Sequence, residues 1–458
     1  MEFNHHPYQP GETIAAIATP PGEGGIAIIR ISGKRALEVA SSLFSGNVKS
    51  YKSHTAHYGK VLDHQGRKID EALLLVLLGK RSFTGEDTVE IQCHGGMIAA
   101  KRVLERALQA GARAANPGEF SFKAFMNGKL DLAQAEAIQQ LICAKNEKAF
   151  ALAGDLLEGV LSKKIYAFQQ EIVSVAAIFE AWVDFPDEGL EFATQEEISE
   201  KLQEIIGKME ELLSTYHDGR RLNQGIHLSI IGAPNVGKSS LMNALLQKER
   251  AIVTPIAGTT RDVLEEDVTL NGVHFRLIDT AGIRQTPDLI EREGILRSRR
   301  AMERADLILF VLDASRQMQE EELPLLKEIP PEKTIAIWNK GDIQQASLAT
   351  LPFPHVVTIS AKERVGLNAL KAKIDEVIWK NGRPGREDLL LSHLRHKEAL
   401  ARAKECCLIA CANLNGGISP EFLVFELRQA LFELGTIMGT NVNEEILSSI
   451  FSQFCIGK

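Results

Sequence analysis

The stretch "GAPNVGKSS" at 232–240 follows the apolar run "IHLSII" and precedes the helix-like "LMNALL". Gly232 and Gly237 let backbone N–H groups curl around an anion at a helix N-terminus, which is what a phosphate chain requires. Asn235 and Val236 complete the loop. Lys238 brings a cation to the β- and γ-phosphates, and Ser239, followed by Ser240, offers a hydroxyl oxygen to Mg²⁺. This is G-x-x-x-x-G-K-[ST] in its strand–loop–helix context, and it predicts a site for a nucleoside triphosphate.

Three more stretches select metal and base. "DTAG" (Asp279, Thr280, Ala281, Gly282) ends the run "HFRLID", where Asp279 can hold a metal-bound water. "NKGD" ends "TIAIWN", and Asp342 can accept from both N1–H and the exocyclic amine of guanine. Adenine has an acceptor at N1, so a carboxylate there rejects it on the order of 10⁴-fold. Asn339 can reach the base, the stem of Lys340 can lie against its face, and "SAK" (Ser360, Ala361, Lys362) can present an N–H to guanine O6. Four elements in this order, each at a strand end, predict GTP rather than ATP.

"AGTTRD" adds Thr260 as a second Mg²⁺ ligand. Ile283 stands after "DTAG", where Ras-like enzymes carry the glutamine that orients the attacking water, so another group must do this here. Asn235 has two readings: its place in the loop resembles that of the asparagine that helps bind K⁺ beside the phosphates in potassium-activated GTPases, or it only hydrogen-bonds the loop backbone. In the first, the ion replaces an arginine finger, a contribution of ~10³-fold or about 4 kcal/mol.

These motifs need a scaffold, and its rhythm is visible. From 223 to 384 the strand-like runs "IHLSII", "HFRLID", "LILFVLD", "TIAIWN" and "HVVTIS" alternate with helical stretches, as in a parallel sheet with crossover helices. Residues 1–125 read as mixed α/β: "TIAAIATPPGEGGIAIIRISG", "ALLLVLL" and "DTVEIQ" supply strands. In the last, Val89 and Ile91 alternate with Glu90, which turns Glu90 away from the core. Residues 126–222 and 385–458 are rich in Ala, Leu, Glu and Lys with helical spacing. The fold class is multidomain α/β plus all-α: one helical domain in two halves with the P-loop domain inserted between them.

A chain of 458 residues exceeds what one core supports, so two or three domains are expected. The formal charge of −8 argues against bulk coating of a polyanion. Six cysteines without a C-x-x-C pair favour neither a disulfide scaffold nor structural zinc, and Cys407 and Cys411 read as two buried cysteines on one helix face. The N-terminus "MEFNHHPYQP" lacks the features of a signal or transit peptide, and no apolar run approaches the ~20 residues that span a bilayer. A cytoplasmic protein with no membrane attachment is expected.

One stretch remains, "FSQFCIGK" at 451–458, an apolar run ending in a thiol and an amine. With "IATPPGEGGIAIIRISG", "FTGEDTVEIQCHGG" and "NPGEFSFKAFMNGKLDLAQAEAI" it resembles the MnmE (TrmE) family of tRNA-modifying GTPases, over the whole chain. The resemblance implies an N-terminal tetrahydrofolate-binding and dimerisation domain and a split helical domain around the GTPase domain. It implies a homodimer working with the flavoprotein MnmG (GidA), in a heterotetramer or larger complex, on wobble uridine 34 of tRNA. The product carries an aminomethyl or carboxymethylaminomethyl group at C5. The one-carbon unit comes from 5-formyl- or 5,10-methylene-tetrahydrofolate, and FAD and NADH enter through the partner. GTP hydrolysis is stimulated as K⁺ draws two GTPase domains together.

Carried over by motif, the folate contacts fall on Arg30, Glu90, Lys129 and Lys458. A pterin's donor and acceptor edges suit a carboxylate and its glutamyl tail suits Arg or Lys, although each residue alone also fits ordinary surface charge. The run "IFSQF" is then expected to dock the segment, delivering Cys455 and Lys458 to the N-terminal domain. Cys455 either attacks C6 of uracil as a thiolate or shapes the pocket. The resemblance also places K⁺ on Asn235, Thr254, Ile256 and Thr259, Mg²⁺ on Ser239 and Thr260, and a water-orienting role on Glu291, which also fits an ordinary first-turn helix glutamate. Glu23 in "TPPGEGG" replaces an arginine common in relatives, changing the charge expected near folate or tRNA. The competing readings are a ribosome-assembly or checkpoint GTPase, and a free-standing folate enzyme. The first has no use for the folate motifs, and the second none for a complete GTPase domain.

Overall fold

The computed structural model describes residues 10–184, 193–246, 266–278, 302–319, 322–343, 350–379, 382, 385 and 389–458. Its first sheet contains β1 (Ile14–Ile17), β2 (Ile26–Ser32), β3 (Thr55–Leu62), β4 (Lys68–Leu77), β5 (Thr88–His94) and β6 (Arg113–Ala114), in the order β3-β4-β5-β2-β1-β6. Neighbours are antiparallel except β1 and β6. Period-two alternation sends Ala27, Ile29, Ile31, Val89 and Ile91 to one face, where Val39 of α1 (Ala36–Ser41) and Val103 of α2 (Met97–Gln109) close the core. Arg30 and Glu90 therefore project from the other face. There Ile14 and Ala16 pack against Phe120 of α3 (Glu119–Met126).

A helical run follows: α4 (Leu132–Cys143), α5 (Glu147–Leu157), α6 (Val160–Asp184), α7 (Gln195–Ser214) and α8 (Tyr216–Gln224). It breaks before α5, where the Asn146 side chain accepts from the Ala149 N–H, and before α6, where Gly159 adopts φ 78°. Along α6, Leu161, Ile165, Phe168, Ile172, Val175 and Phe179 form one buried stripe at spacings of three and four. Each such side chain contributes roughly 1.5–3 kcal/mol by leaving water.

The second sheet contains β7 (Ile226–Ile231), β8 (Glu266–Leu270), β9 (Val273–Ile278), β10 (Leu307–Asp313), β11 (Thr334–Asn339) and β12 (His355–Thr358), ordered β12-β11-β10-β7-β9-β8. Five strands are parallel. β8 is an antiparallel edge strand that the strand-like runs of the sequence do not announce. β10 and β11 are buried along their whole length, as central parallel strands covered on both faces must be. The sheet carries α9 (Lys238–Leu246) and α10 (Leu323–Glu328) in its connections, and α11 (Leu367–Ile378) follows its last strand.

Three helices complete the chain: α12 (Leu394–Asn415), α13 (Pro420–Met438) and α14 (Glu444–Ser452). α13 starts with proline in its first turn, ends at Gly439 with φ 90°, and packs along α6. α14 is capped by Asn443, whose side chain accepts from the Ile446 N–H at 2.9 Å. Two compact units result: residues 1–142, 154–206 and 402–458 form one, and 143–153 with 207–401 form the other. No described helix is long and apolar enough to cross a membrane.

Candidate functional site

The nucleotide-binding loop is the turn from β7 into α9. Asn235 sits at φ 62° and Gly237 at φ 98°, so the chain reverses twice before Lys238 opens the helix. A Cβ on Gly237 would lie 2.1 Å from the Asn339 amide nitrogen, so the loop needs glycine there. Lys238 Nζ donates to the carbonyls of Gly232 and Ala233 at 2.7 and 2.8 Å. Burial pushes its pKa down from the ordinary lysine value. Ser239 and Ser240 occupy the next two positions of the same first turn.

Asn339 braces the base-reading side. Its Nδ2 donates to the Val236 carbonyl at 2.9 Å, and its Oδ1 accepts from the Ala361 N–H at 3.0 Å. At 2% exposure it joins two loops through its amide, one Nδ2 hydrogen going to Val236 and Oδ1 taking the Ala361 N–H, and a second Nδ2 hydrogen is left for a base. Lys340 follows at φ 66°, its Nζ donating to Asp313 Oδ2 at 2.6 Å. The Asp342 carboxyl is held below its usual value by a hydrogen bond from the Ser360 side chain, so it is ionised and ready to accept. The sequence reading missed Asp313; the available signal was an acid closing the otherwise apolar run "LILFVLD". Thr254, Ile256, Thr259, Thr260, Asp279, Thr280, Ala281, Gly282, Ile283 and Glu291 lie outside the described residues.

The second site belongs to the other unit. Arg30 and Glu90 are register partners across β2 and β5, with Nε 2.8 Å from Oε1 and both side chains about seven-eighths buried. The guanidinium lies near the faces of Phe83 and Phe120, centroids 5.9 and 5.6 Å away, and its Nη1 donates to the Gly457 carbonyl at 3.1 Å. Residues 451–458 dock as the sequence suggested: Phe451 and Phe454 pack against Leu132 and Ala135 with Phe122 and Phe125. The Gly118 and Phe120 N–H groups, at the start of α3, donate to the carbonyls of Cys455 and Lys458. Lys458 is half-buried, and burial, then the nearby Arg30 charge, lowers its pKa against the opposing pull of Glu90 and Cys455. Cys455 is exposed.

Lys129 stands apart from these residues. Its Nζ donates to the Lys80 carbonyl at 2.8 Å, and it lines a separate cavity of about 380 Å³ with Phe125, Asp131 and Gln134. The 80–84 loop links the two places, since Phe83 lies under Arg30. A buried pair beneath this region was also missed: Lys123 Nζ donates to Glu86 Oε2 at 2.7 Å, with the lysine side chain 1% exposed. Among the described residues no cluster of His, Cys, Asp and Glu could hold a metal, and Cys407 and Cys411 are both buried.

A parallel sheet ending in this loop, with the Asn-Lys-Gly-Asp turn beside it, defines a P-loop GTP-binding protein that carries a second, sheet-and-helix unit. Residues 13–129 match the family model for the GTP-binding protein TrmE N-terminus, and 132–455 that for the MnmE helical domain. The chain is 57% identical to the tRNA modification GTPase MnmE of Protochlamydia amoebophila over 458 residues, covering 100% of both chains. It is 45% identical to that of Chlamydia trachomatis serovar A (98% of this chain, 99% of the other). To that of Carboxydothermus hydrogenoformans it is 42% identical (98% and 99%). The chain belongs to the MnmE (TrmE) family.

Proposed function

We propose that this chain is a GTP hydrolase whose cycle serves tRNA modification, and that it acts with MnmG to build the 5-aminomethyl or 5-carboxymethylaminomethyl group of wobble uridine 34. The observation that carries the reading is the docked 451–458 segment, which brings Lys458 to Arg30 and Glu90 in a protein that also has a braced P-loop. A ribosome-assembly switch has no use for the first of these.

In the GTPase half, the loop amides and Lys238 bind the phosphates, and Asp342 reads guanine. The turn Ser360–Ala361 beside Asn339 presents a backbone N–H to guanine O6. Ser239 with Thr260 is the pair for Mg²⁺, which offsets charge on the phosphates. The Asn235 side chain, on a residue at φ 62°, with Thr254, Ile256 and Thr259 provides oxygen donors of the type K⁺ accepts. Glu291 orients the attacking water.

In the other half, a carboxylate and two cations on a half-buried surface suit a ligand with a donor–acceptor edge and an anionic tail, the chemistry of a tetrahydrofolate. Glu90 takes the pterin edge, Arg30 and Lys458 fix the ligand, and Lys129 meets its glutamyl end; the folate supplies the one-carbon unit. Cys455 is open to solvent and free to act as a nucleophile or a pocket wall. The four-part division at 1–125, 126–222, 223–384 and 385–458, a homodimer through the N-terminal domain and a cytoplasmic setting belong to the same reading.

The test is mass spectrometry of tRNA nucleosides from cells lacking the gene, with and without complementation. Loss of the C5 modification at uridine 34, restored by the wild-type gene, is expected. Persistence of the modification sinks the reading. GTP turnover in KCl against NaCl tests the potassium dependence separately.

A further inference from the structure

Asp313 ends β10 after six buried apolar residues, Leu307–Leu312. It is the register partner of Asn339, and the Ala314 N–H donates to the Asn339 carbonyl at 2.8 Å, so the ends of β10 and β11 are fixed to each other. The carboxylate is 6% exposed. Its Oδ1 accepts from both the N–H and the hydroxyl of Ser315, at 2.9 and 2.6 Å. With that oxygen pinned by its own turn, Oδ2 is left aimed at Lys340 Nζ, 2.6 Å away; the Arg316 guanidinium is more distant at 3.8 Å. Burial by itself would raise this carboxyl, but the hydrogen bonds from Lys340 and Ser315 outweigh it and hold the group below the usual range.

The lysine is placed with equal care. It lies between Asn339, whose amide is fixed at both ends, and Asp342, and it takes φ 66°, a conformation rare for a non-glycine residue. A flexible four-carbon stem can serve as a flat apolar surface for a base only if its far end is held.

We propose that Asp313 is a positioning residue for guanine-nucleotide binding. It clamps the ammonium of Lys340 so that the lysine stem is presented to the base, and it acts through that lysine alone. This rests on reading the Asn-Lys-Gly-Asp stretch as the guanine site.

The test is a double-mutant cycle on the affinity of the full-length protein for fluorescent GDP and GTP. Asp313→Asn is expected to raise both Kd values by about tenfold, the scale of one hydrogen bond to a charged group. In a Lys340→Met background the same substitution is expected to change neither. A loss of equal size in both backgrounds would mean that Asp313 only supports the turn, and would overturn the proposal, as would an unchanged Kd in Asp313→Asn itself. Ser315→Ala covers the case in which the amide variant fails to fold, because it loosens the carboxylate without removing it. Its expected effect is ~2- to 3-fold, again only where Lys340 is present; no effect, or an effect independent of Lys340, overturns the proposal. Wild-type protein that binds neither nucleotide would sink the reading of the guanine site, whereas normal wild-type binding with Asp313→Asn unaffected sinks only the role of Asp313.

Discussion

Arg30 and Glu90 face each other across β2 and β5 at 2.8 Å, and the arginine's remaining reach ends on the carbonyl of Gly457, 427 residues further along the chain. One guanidinium thus joins the strand pair to the docked segment. Its charge is compensated on one side by a carboxylate and on the other by a dipole and two aromatic faces.

Replacing Glu90 by Gln leaves that buried guanidinium without its counter-charge. The expected cost is about 1–3 kcal/mol in unfolding free energy, read by urea denaturation. Lys458 should respond too. Glu90 raises its pKa while burial and Arg30 lower it, so removing the carboxylate drives the ammonium further down. A ¹³C-lysine NMR titration in which Lys458 moves up, or stays still, contradicts this account. Affinity for 5-formyl-tetrahydrofolate should fall in the same variant while GDP affinity is unchanged.

Gly457 has φ 94°, and a Cβ there would lie 2.6 Å from the Ile17 carbonyl. Gly457→Ala combines left-handed strain with a backbone clash that no rotamer relieves, about 1–3 kcal/mol for the strain alone. The segment is expected to lift from β1, taking the Arg30 contact with it. Folate affinity measured by fluorescence titration should drop by roughly tenfold or more. Wild-type affinity in this variant would mean that the segment is not part of the pocket.

How much of this was readable in advance depends on what each feature needs from distant residues. β7, β10 and β11 coincide with their apolar runs because strands buried on both faces leave no other reading. β8 escaped notice because "EDVTL" is a short edge strand with two acids, and edges carry a weak apolar signal. That Glu90 leaves the core followed from alternation, but its pairing with Arg30 required the β2–β5 register, which alternation does not specify. Asn339 was visible as a motif residue, whereas its bracing of Val236 and Ala361 depends on three loops meeting. Lys123 could not be separated from a surface lysine, since its partner Glu86 lies 37 positions away.

His274, on the β8–β9 hairpin, carries a pH dependence of definite sign. Burial depresses its pKa to about 4, against the pull of Asp267, with Lys145 and Arg276 adding to the depression. The folded state therefore holds fewer protons on this ring than the unfolded state between about pH 4 and 6.5, and stability falls as pH drops through that window. At pH 5 the loss relative to pH 7 amounts to about 2 kcal/mol. His274→Phe removes the titration, so its unfolding free energy should change less between pH 7 and 5 than that of wild type, by this amount. Equal slopes for the two proteins in urea melts would refute the assignment.

The pair Lys123–Glu86 offers the sharpest separation of structure from chemistry. Lys123 is 1% exposed among the phenylalanines of α3, its charge answered by Glu86 Oε2 and the Glu12 carbonyl, while Glu86 Oε1 accepts from the Gly11 N–H. Lys123→Met leaves a carboxylate with its cation gone, and the expected loss is roughly 3–5 kcal/mol. Combining it with Glu86→Gln removes both charges and should recover most of that loss, because the desolvation cost of the pair disappears with its attraction. Chemical denaturation of the two single variants and the double variant measures the coupling. If the double variant is as unstable as the sum of the singles, the pair is not a coupled unit and Lys123 is held by its carbonyl alone. If stability recovers but folate binding does not, the buried charges also set the position of α3, whose first N–H groups hold Cys455 and Lys458.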